Sequence, residues 1–410
     1  MSNTSTIKRG IAAVTTMFFV LGFTAPSFAD VSITGNNWVD SIKFNGDLRL
    51  RHDTLQEMGG MTDRNRERFR LRFGTEVTVQ DWMAKIQFAS GTGSQLSANQ
   101  TESGQFGQKA LWIDEAYLQW KATPNIKLVG GRMSNPFYQL YASDVMWDPD
   151  LKPEGYSEKV DVPVNDRLGL FFNAAQLPTT DAFTSAGSAT SDKNVWIIGN
   201  QLGAKTTLFE ETKLTMAVAD YAFFNETVNP MGGGVAAGTT LNPGNNITTA
   251  GTLVTPFNIL EFTNELALHA GPLPLSLQFE YVTNTQYNRL AGNSTQNGGR
   301  NGYQTGVIAG KAAAKGTWEG AYFFKYLEAN ATVANLADDD FGNGGTNRKG
   351  HILWIAYAPR DFVQIKLKYY ITQVLDKTLT AVQTIGSPAA AFTGQNGDTN
   401  RLMLDVMFKF

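Results

Sequence analysis

Residues 66–79 read RERFRLRFGTEVTV, and charged residues alternate with apolar ones along almost the whole stretch. Successive side chains of a β-strand point to opposite faces, so one face of this strand is apolar and the other is charged. A row of arginines would repel one another unless their face meets water and acidic partners. The stretch is therefore typical of a wall between an apolar surrounding and a wet interior. The apolar face consists of Phe69, Leu71, Phe73, Thr75, Val77 and Val79, and the charged face of Arg66, Arg68, Arg70, Arg72 and Glu76.

The first 29 residues have the form of an export signal. Residues 8–9 are basic, residues 11–23 are apolar, and residues 27–29 (Ser-Phe-Ala) form a small-x-small cleavage site. The apolar stretch is too short to span a bilayer as a mature helix. Its removal takes two positive charges away, so the formal charge of −3 becomes −5. We therefore expect a cleaved signal peptide at residues 1–29 and one mature domain at residues 30–410.

Composition does not separate a soluble protein from a membrane-spanning one here. The mean hydropathy is −0.22, and the mature chain contains no run of about 18 apolar residues. Membrane barrels give the same average, because only every second residue of a strand faces lipid. The chain has no cysteine, which fits a Gram-negative envelope protein stabilised by backbone closure. The pattern along the chain must therefore decide the class.

Segments with strand-like alternation recur through to the last residue, and no helical period of useful length competes with them. Fifteen such segments can be counted. They span residues 42–51, 66–79, 82–88, 111–121, 126–133, 167–176, 195–206, 214–224, 259–269, 275–283, 303–311, 318–328, 351–358, 363–371 and 402–410.

The connections between these segments alternate in length. Short turns alternate with long loops rich in Gly, Asn, Ser and Thr, which is typical of an outer-membrane barrel. The alternation keeps step from both chain ends but disagrees by one strand between residues 133 and 167, which predicts a weak strand within residues 152–162. The predicted fold is therefore all-β: a transmembrane antiparallel β-barrel of about 16 strands, with short periplasmic turns and long external loops.

Two short motifs carry a resemblance to a known class of protein. The chain ends on LMLDVMFKF, and the alternation and terminal Phe410 resemble the C-terminal strand signal of outer-membrane barrels. Residues 130–137, GGRMSNPF, resemble the strand end that precedes the inward-folded third loop of general porins. The layout of the whole mature chain is similar to the "putative porin" families of proteobacteria. The resemblance implies a channel whose third loop places carboxylates opposite basic wall residues, and the association of three barrels.

An acidic stretch after Met133 is the predicted counterpart of the arginines. The weak strand predicted above makes this stretch shorter than a usual third loop. Opposed rows of fixed charge across a narrow channel create a transverse field, and permeation follows from pore width and charge lining. The alternative is that the arginines are only a solvated inner face and the carboxylates an ordinary exposed loop. The predicted pore-lining constriction consists of Arg49, Arg51, Arg68, Arg70, Arg72, Arg132, Asp144, Asp148, Asp150 and Glu154.

Aromatic residues on the strands suit the interfacial girdles of a barrel, although the core of a soluble β-sandwich is an alternative reading. The predicted girdle residues are Trp82, Trp112, Trp120, Trp318, Tyr322, Trp354, Tyr357, Tyr369, Phe408 and Phe410. Residues 338–340 are three aspartates in a predicted external loop, where a solvated turn is favoured over a divalent-cation site. The three histidines, His52, His269 and His351, have no metal-ligand spacing.

No G-x-S-x-G, H-E-x-x-H or P-loop motif occurs in the sequence, and net acidity without a basic tail argues against nucleic acid as a partner. We therefore expect no enzyme, no cofactor and no metal. We expect export through the periplasm to the Gram-negative outer membrane. There the protein is expected to contact lipid and lipopolysaccharide and to form a homotrimer. It passes small hydrophilic solutes and ions by passive diffusion. Two alternatives stay open: a solute-specific, anion-selective channel, and a barrel with a closed lumen and a structural, adhesive or hydrolytic role.

Overall fold

The computed structural model describes residues 39–58, 63–180, 195–209, 211–224, 244–245, 255–287, 299–342, 344–377 and 397–410; the predicted signal peptide at residues 1–29 lies outside them. No helix long and apolar enough to cross a membrane occurs among the described residues. The strands are β1 (Ser41–Met58), β2 (Arg64–Val79), β3 (Trp82–Ser90), β4 (Gln100–Thr101), β5 (Leu111–Thr123), β6 (Ile126–Arg132), β7 (Glu154–Pro163), β8 (Leu168–Thr180), β9 (Val195–Phe209), β10 (Thr212–Phe224), β11 (Asn258–Ala270), β12 (Leu273–Asn284), β13 (Asn301–Gly310), β14 (Trp318–Leu327), β15 (Arg348–Arg360), β16 (Val363–Val374) and β17 (Asp398–Lys409).

Sixteen of these strands form one closed antiparallel barrel. Each pairs with its neighbours along the chain, and β1 pairs with β17 from Asp47 opposite Lys409 to Met58 opposite Asp398. The two-residue strand β4 belongs to the loop between β3 and β5 and pairs with β2. Closure removes the sheet edges, which is required where no water can satisfy backbone groups. The predicted sixteen-stranded barrel is confirmed, and the strand predicted within residues 152–162 is β7.

The two faces of the barrel wall differ as the alternation predicts. On β1, Phe44, Leu48 and Leu50 are exposed on the outside, whereas Arg51 and Asp53 are buried inside. The outer face of the other strands is equally apolar, with exposed side chains that include Phe73, Leu118, Phe172, Leu202, Val218, Leu277, Leu353 and Leu404. Soluble proteins rarely expose contiguous apolar surface of this extent, so the barrel requires the hydrocarbon of a membrane around it.

Aromatic side chains gather on the outside near the short turns. Trp82 stacks on Trp120 with ring centroids 5.5 Å apart, and both indoles are exposed. The prediction that Trp354 belongs to a girdle is wrong. Its side chain is 7% exposed and lies inside the barrel, stacked on Phe323 with centroids 5.5 Å apart. The reason is its position on β15, where it alternates with the outward-facing Leu353.

Among the described residues, those of the loops 91–99, 133–153 and 328–347 fold into the barrel from the long-loop end. Their buried apolar side chains pack with the inner wall of β8–β12 into one cluster, to which the loops contribute Leu96, Phe137, Val145, Met146, Trp147, Leu151, Ala331, Val333, Leu336 and Ala337. A Cβ atom at Gly199 would overlap the ring of Phe137, so a larger wall residue would force this loop side chain to shift. This apolar cluster lies against one side of the lumen, and a second, smaller cluster lies against the inner face of β13–β17. The inner faces of β1 and β2 carry charged side chains instead.

Candidate functional site

Arg70 and Arg72 stand on the inner face of β2 and share the carboxylate of Asp47 on β1. Each guanidinium donates a hydrogen bond of 2.8 Å to Asp47, which lies opposite Arg72 in the strand register. Asp150 of the inward-folded loop 133–153 lies 3.5 Å from Arg70 and 3.8 Å from Arg72. The structure therefore brings the arginine face and the acidic loop together, with Asp150 as the point of contact.

A second network joins β1 and β17 to the loop 328–347. Arg51 donates to Asp405 at 2.7 Å and to Asp340 at 3.1 Å. Arg401 donates to the two oxygens of Asp53 at 2.8 and 3.0 Å, and its guanidinium lies 2.9 Å from Asp340. Charged groups that leave water need partners of opposite sign, and Asp340 finds two arginines inside the barrel.

The prediction of an external, solvated turn at residues 338–340 is therefore wrong, because this turn lies within the lumen. Lys325 of β14 binds both this turn and the acidic loop 133–153. Its fully buried ammonium donates to Asp144 at 3.0 Å and lies 3.9 Å from Asp338. The two loops also touch directly, since the backbone N–H of Asp148 donates to the carbonyl of Leu336 at 2.7 Å. One lysine thus anchors the two acidic loops, 133–153 and 328–347.

A cavity of about 640 Å³ lies between the charged wall and the two loops. Seven of the ten predicted residues line it: Arg49, Arg51, Arg70, Arg72, Asp144, Asp148 and Asp150. Arg68 lies next to this group, with its guanidinium 3.4 Å from Ser97 and 3.8 Å from Asp53. Most of the predicted constriction residues therefore face one shared space.

Arg132 and Glu154 were also predicted in the constriction, and the structure places them elsewhere. Arg132 shares a face of β6 with Gly130, whose cross-strand neighbours Leu118 and Tyr156 are exposed on the outside of the barrel. Arg132 and Glu154 bind each other at 2.8 Å on that outer face. The alternation of β6 and of β7 turns these two side chains away from the lumen.

Sequence reasoning missed many of the charged groups around the cavity. For two of them a signal was available: residues 363–369 read VQIKLKY, which alternates Lys366 and Lys368 with apolar residues much as residues 66–79 alternate arginines. No comparable local signal marks Asp340, because its position depends on how a loop folds back. The missed groups are Asp47, Asp53, Lys325, Asp338, Asp339, Asp340, Lys366, Lys368, Arg401 and Asp405.

Asp148, Asp338 and Asp339 form a carboxylate cluster on the loop side of the cavity, with one oxygen of each within 4.8 Å of the others. Burial and the neighbouring carboxylates raise the pKa of Asp338 to about 7. The same two causes raise the pKa of Asp148 and of Asp339. Asp340 behaves differently: burial opposes its ionisation, but Arg401 and the other neighbouring cations together outweigh burial and hold the pKa of Asp340 well below its usual range. The cluster is therefore sensitive to pH, whereas Asp340 stays charged.

The chain belongs to the family described as "Putative porin", whose model matches residues 56–246 and 236–410. Among solved structures, it is similar to OmpF of Salmonella typhi in complex with daunomycin, with a TM-score of 0.51 and 11% identity over 90% of this chain and 98% of that one. It is also similar to OprB of Pseudomonas putida, determined at high pH, with a TM-score of 0.51 and 10% identity over 90% of this chain and 94% of that one. No curated protein sequence matches the chain.

At these identities the likeness to solved structures concerns the fold, whereas the family match concerns the chain itself. The family match and the barrel fold together place the chain in the class of outer-membrane porins. The predicted class is thereby confirmed.

Proposed function

We propose that the barrel passes small hydrophilic solutes and ions by passive diffusion through the charged side of its lumen. The single observation that carries this proposal is the cavity of about 640 Å³ between the arginines of β1–β2 and the carboxylates of the inward loops. Arginines, lysines and aspartates line this cavity, so a solute would pass between fixed charges of opposite sign. Such an arrangement creates a field across the passage and selects solutes by size and charge.

Within this passage, the residues we propose to set the constriction are Arg49, Arg51, Arg68, Arg70, Arg72, Asp144, Asp148 and Asp150. The arginines are held by carboxylates of the wall, as Asp47 holds Arg72 at 2.8 Å. A guanidinium fork held in this way keeps a fixed orientation, so the field of the constriction would be fixed too.

Liposome swelling tests passive diffusion against the alternative of a closed barrel with a structural, adhesive or hydrolytic role. Proteoliposomes are placed in isotonic solutions of neutral sugars of increasing size. We expect swelling with the smallest sugars and a decline with size, because entry depends on passage width. Absence of swelling with every sugar, from protein whose unheated gel mobility shows a folded barrel, would reject the proposal.

Raising the pH through neutrality should make the passage more selective for cations. The pKa of Asp338 is raised to about 7 by burial and neighbouring carboxylates, so its carboxyl is neutral below that pH and gains a negative charge above it. The ratio of cation to anion permeability, obtained from reversal potentials in a salt gradient, should therefore rise between about pH 5.5 and 8.5. Asp338→Asn should reduce this rise, whereas Asp361→Asn, in an exposed turn, should leave it unchanged. An identical pH response in Asp338→Asn would contradict the assignment.

We propose further that three copies associate through the outer face of β6–β8. This face carries polar pairs that are costly against lipid: Arg132 with Glu154 at 2.8 Å, and Gln176 donating to Glu158 at 3.1 Å. It also has a concavity of about 350 Å³ beside Gly130 and β7. A second barrel would cover these groups, while lipid, and lipopolysaccharide on the external side, would cover the apolar remainder.

Glu158→Arg is expected to convert the trimer to monomers in unheated gels and to abolish trimeric products of crosslinking, since it places a bulky positive charge in the proposed interface. Glu211→Arg makes the same change of charge in an exposed turn outside the proposed interface, where Glu211 lies 3.7 Å from His269. This control should migrate as the native protein does. A trimer that persists unchanged in Glu158→Arg would exclude this face as the interface.

Export through the periplasm of a Gram-negative cell belongs to the same proposal. It is supported by the basic, apolar and small-residue order of residues 1–29. The mature protein should begin at Asp30, which N-terminal sequencing of outer-membrane material would check. A retained leader would contradict the predicted cleavage.

A further inference from the structure

Two lysines of β16 reach the cavity from the wall opposite the carboxylate loops. Lys366 and Lys368 lie on the same inner face of the strand, and their ammonium nitrogens lie 5.1 and 5.6 Å from the ring centroid of Trp354. Lys368 also lies 4.6 Å from the ring centroid of Tyr370. All four side chains line the cavity. The wall therefore presents two ammonium groups to the cavity, and both lie against aromatic rings.

These ammonium groups are less completely paired than the arginines nearby. Arg51, for example, donates to two carboxylates, at 2.7 Å and 3.1 Å. Lys366 has Glu319 at 3.6 Å and the hydroxyl of Tyr141 at 3.3 Å. Within the part of the chain that the structure describes, Lys368 has no hydrogen bond and no carboxylate within 4.0 Å. An ammonium has three donors, so both lysines retain donors for a ligand.

A buried hydroxyl adds a further polar group to this wall. Tyr370 is fully buried, and its hydroxyl has no hydrogen-bond partner among the described residues. Unpaired buried polar groups are rare, because leaving one unsatisfied costs free energy. Tyr370 lines the same cavity as Lys368. A hydrogen-bond acceptor held near the two lysines would therefore also lie near the Tyr370 hydroxyl.

An aromatic ring faces the lysines from the loop side. Tyr141 is 64% exposed, and its ring centroid lies 5.5 Å from the ammonium of Lys366. The indole N–H of Trp354 is occupied by Glu319 at 2.7 Å, so Trp354 offers its ring and not its donor. Exposed aromatic faces next to cations favour a planar ligand that carries negative charge, since the ring can stack while the anion meets the ammonium.

We propose that this part of the cavity is a binding site for small aromatic carboxylates. The carboxylate accepts hydrogen bonds from Lys366 and Lys368, and the aromatic ring packs on Tyr141. A cavity of about 640 Å³ is within the size range of small-molecule sites. The proposal rests on the proposed function, in that the site lies in the passage, and it deepens that function by naming a solute class.

Isothermal titration of the purified, folded protein with benzoate tests the site directly. We expect saturable binding of benzoate, weaker binding of acetate, which lacks the ring, and none of benzylamine or glucose. The double variant Lys366→Gln/Lys368→Gln should lose at least about tenfold in benzoate affinity, which corresponds to about 1.4 kcal/mol. Tyr141→Leu should weaken benzoate binding more than acetate binding, because it removes only the ring contact.

Lys205→Gln is the matched control. Lys205 is also a lysine packed on an aromatic ring, 5.2 Å from the centroid of Phe171, but it does not line the cavity. Its replacement should leave benzoate affinity unchanged. Absence of benzoate binding to the native protein, an equal affinity in the double lysine variant, or tighter binding of benzylamine than of benzoate would each overturn the proposal.

Conductance of the same proteins in planar bilayers separates this inference from the proposed function. A native protein that conducts ions but does not bind benzoate overturns the site and leaves the channel intact. A native protein that binds benzoate, with loss in the lysine variant, supports the site even if no conductance is found. Benzoate binding without any conductance would reject diffusion through the lumen, and the cavity would then be a binding site only.

Discussion

Replacing Arg401 by methionine should loosen the loop 328–347 and lower the stability of the folded barrel by about 3 kcal/mol, near the lower end of the range for breaking a buried ion pair from one side. Arg401 is buried, binds both oxygens of Asp53 and lies 2.9 Å from Asp340. It also donates to the backbone carbonyls of Asp339 and Asp340, at 3.3 and 3.0 Å. The lower end of the range applies because Asp53 keeps Arg66 as a partner.

The temperature at which the compact gel band of the folded barrel disappears measures the stability effect. Single-channel current measures the second effect, since a loop released from Arg401 should give larger and noisier openings. Arg360→Met is the matched control, because within the described residues the side chain of Arg360 donates only to the neighbouring Pro359 carbonyl, at 2.8 Å. An unchanged transition temperature together with unchanged openings in Arg401→Met would show that this arginine does not anchor the loop.

Charge reversal at Arg70 and Arg72 should shift the ion selectivity of the passage toward cations. The double change to glutamate alters the charge of the cavity lining by four units. The two positions lie 3.5 and 3.8 Å from Asp150, well within the Debye length of about 8 Å in physiological salt. We therefore expect the ratio of cation to anion permeability to rise by a factor of about three or more. Reversal potentials in a potassium chloride gradient provide the measurement.

Both arginines bind Asp47, at 2.8 Å each, and lie near Asp150, so the double glutamate variant places like charges together and can impair folding. Arg72→Gln is the gentler variant, and it should shift the permeability ratio in the same direction by a smaller amount. Arg360→Glu reverses a single charge, a change of two units, at an exposed turn and should leave the ratio unchanged. If Arg72→Gln and a folded double variant both retain the native ratio, these arginines do not line the constriction.

The barrel could be predicted from the sequence because its wall obeys a local rule. The alternation in residues 66–79 reports the two faces of β2 directly, since side-chain direction in a strand depends only on position along it. The weak strand β7 could be inferred without a clear pattern of its own, because antiparallel strands must return to the same end of the barrel. Burial of Arg51 and exposure of Phe44 follow from the same rule.

The interior of the barrel could be predicted only in part, because loops do not obey a local rule. Asp150 meets Arg70 as the acidic stretch suggested, but Asp340 reaches Arg401 across 61 residues of chain, and no short-range pattern encodes that contact. For Arg132, by contrast, a local motif was present and led to a wrong prediction. Its motif resembled the start of an inward loop, yet its parity on β6 places it on the outer face.

Current through the native protein in a planar bilayer tests the central claim, a water-filled passage along the charged side of the lumen, most directly. The protein is purified in its folded form, inserted from dilute solution and recorded at several concentrations of potassium chloride. We predict discrete current steps whose conductance rises with salt concentration and whose reversal potential changes with pH near neutrality. A folded, inserted barrel that shows no current steps at any salt concentration would contradict the claim.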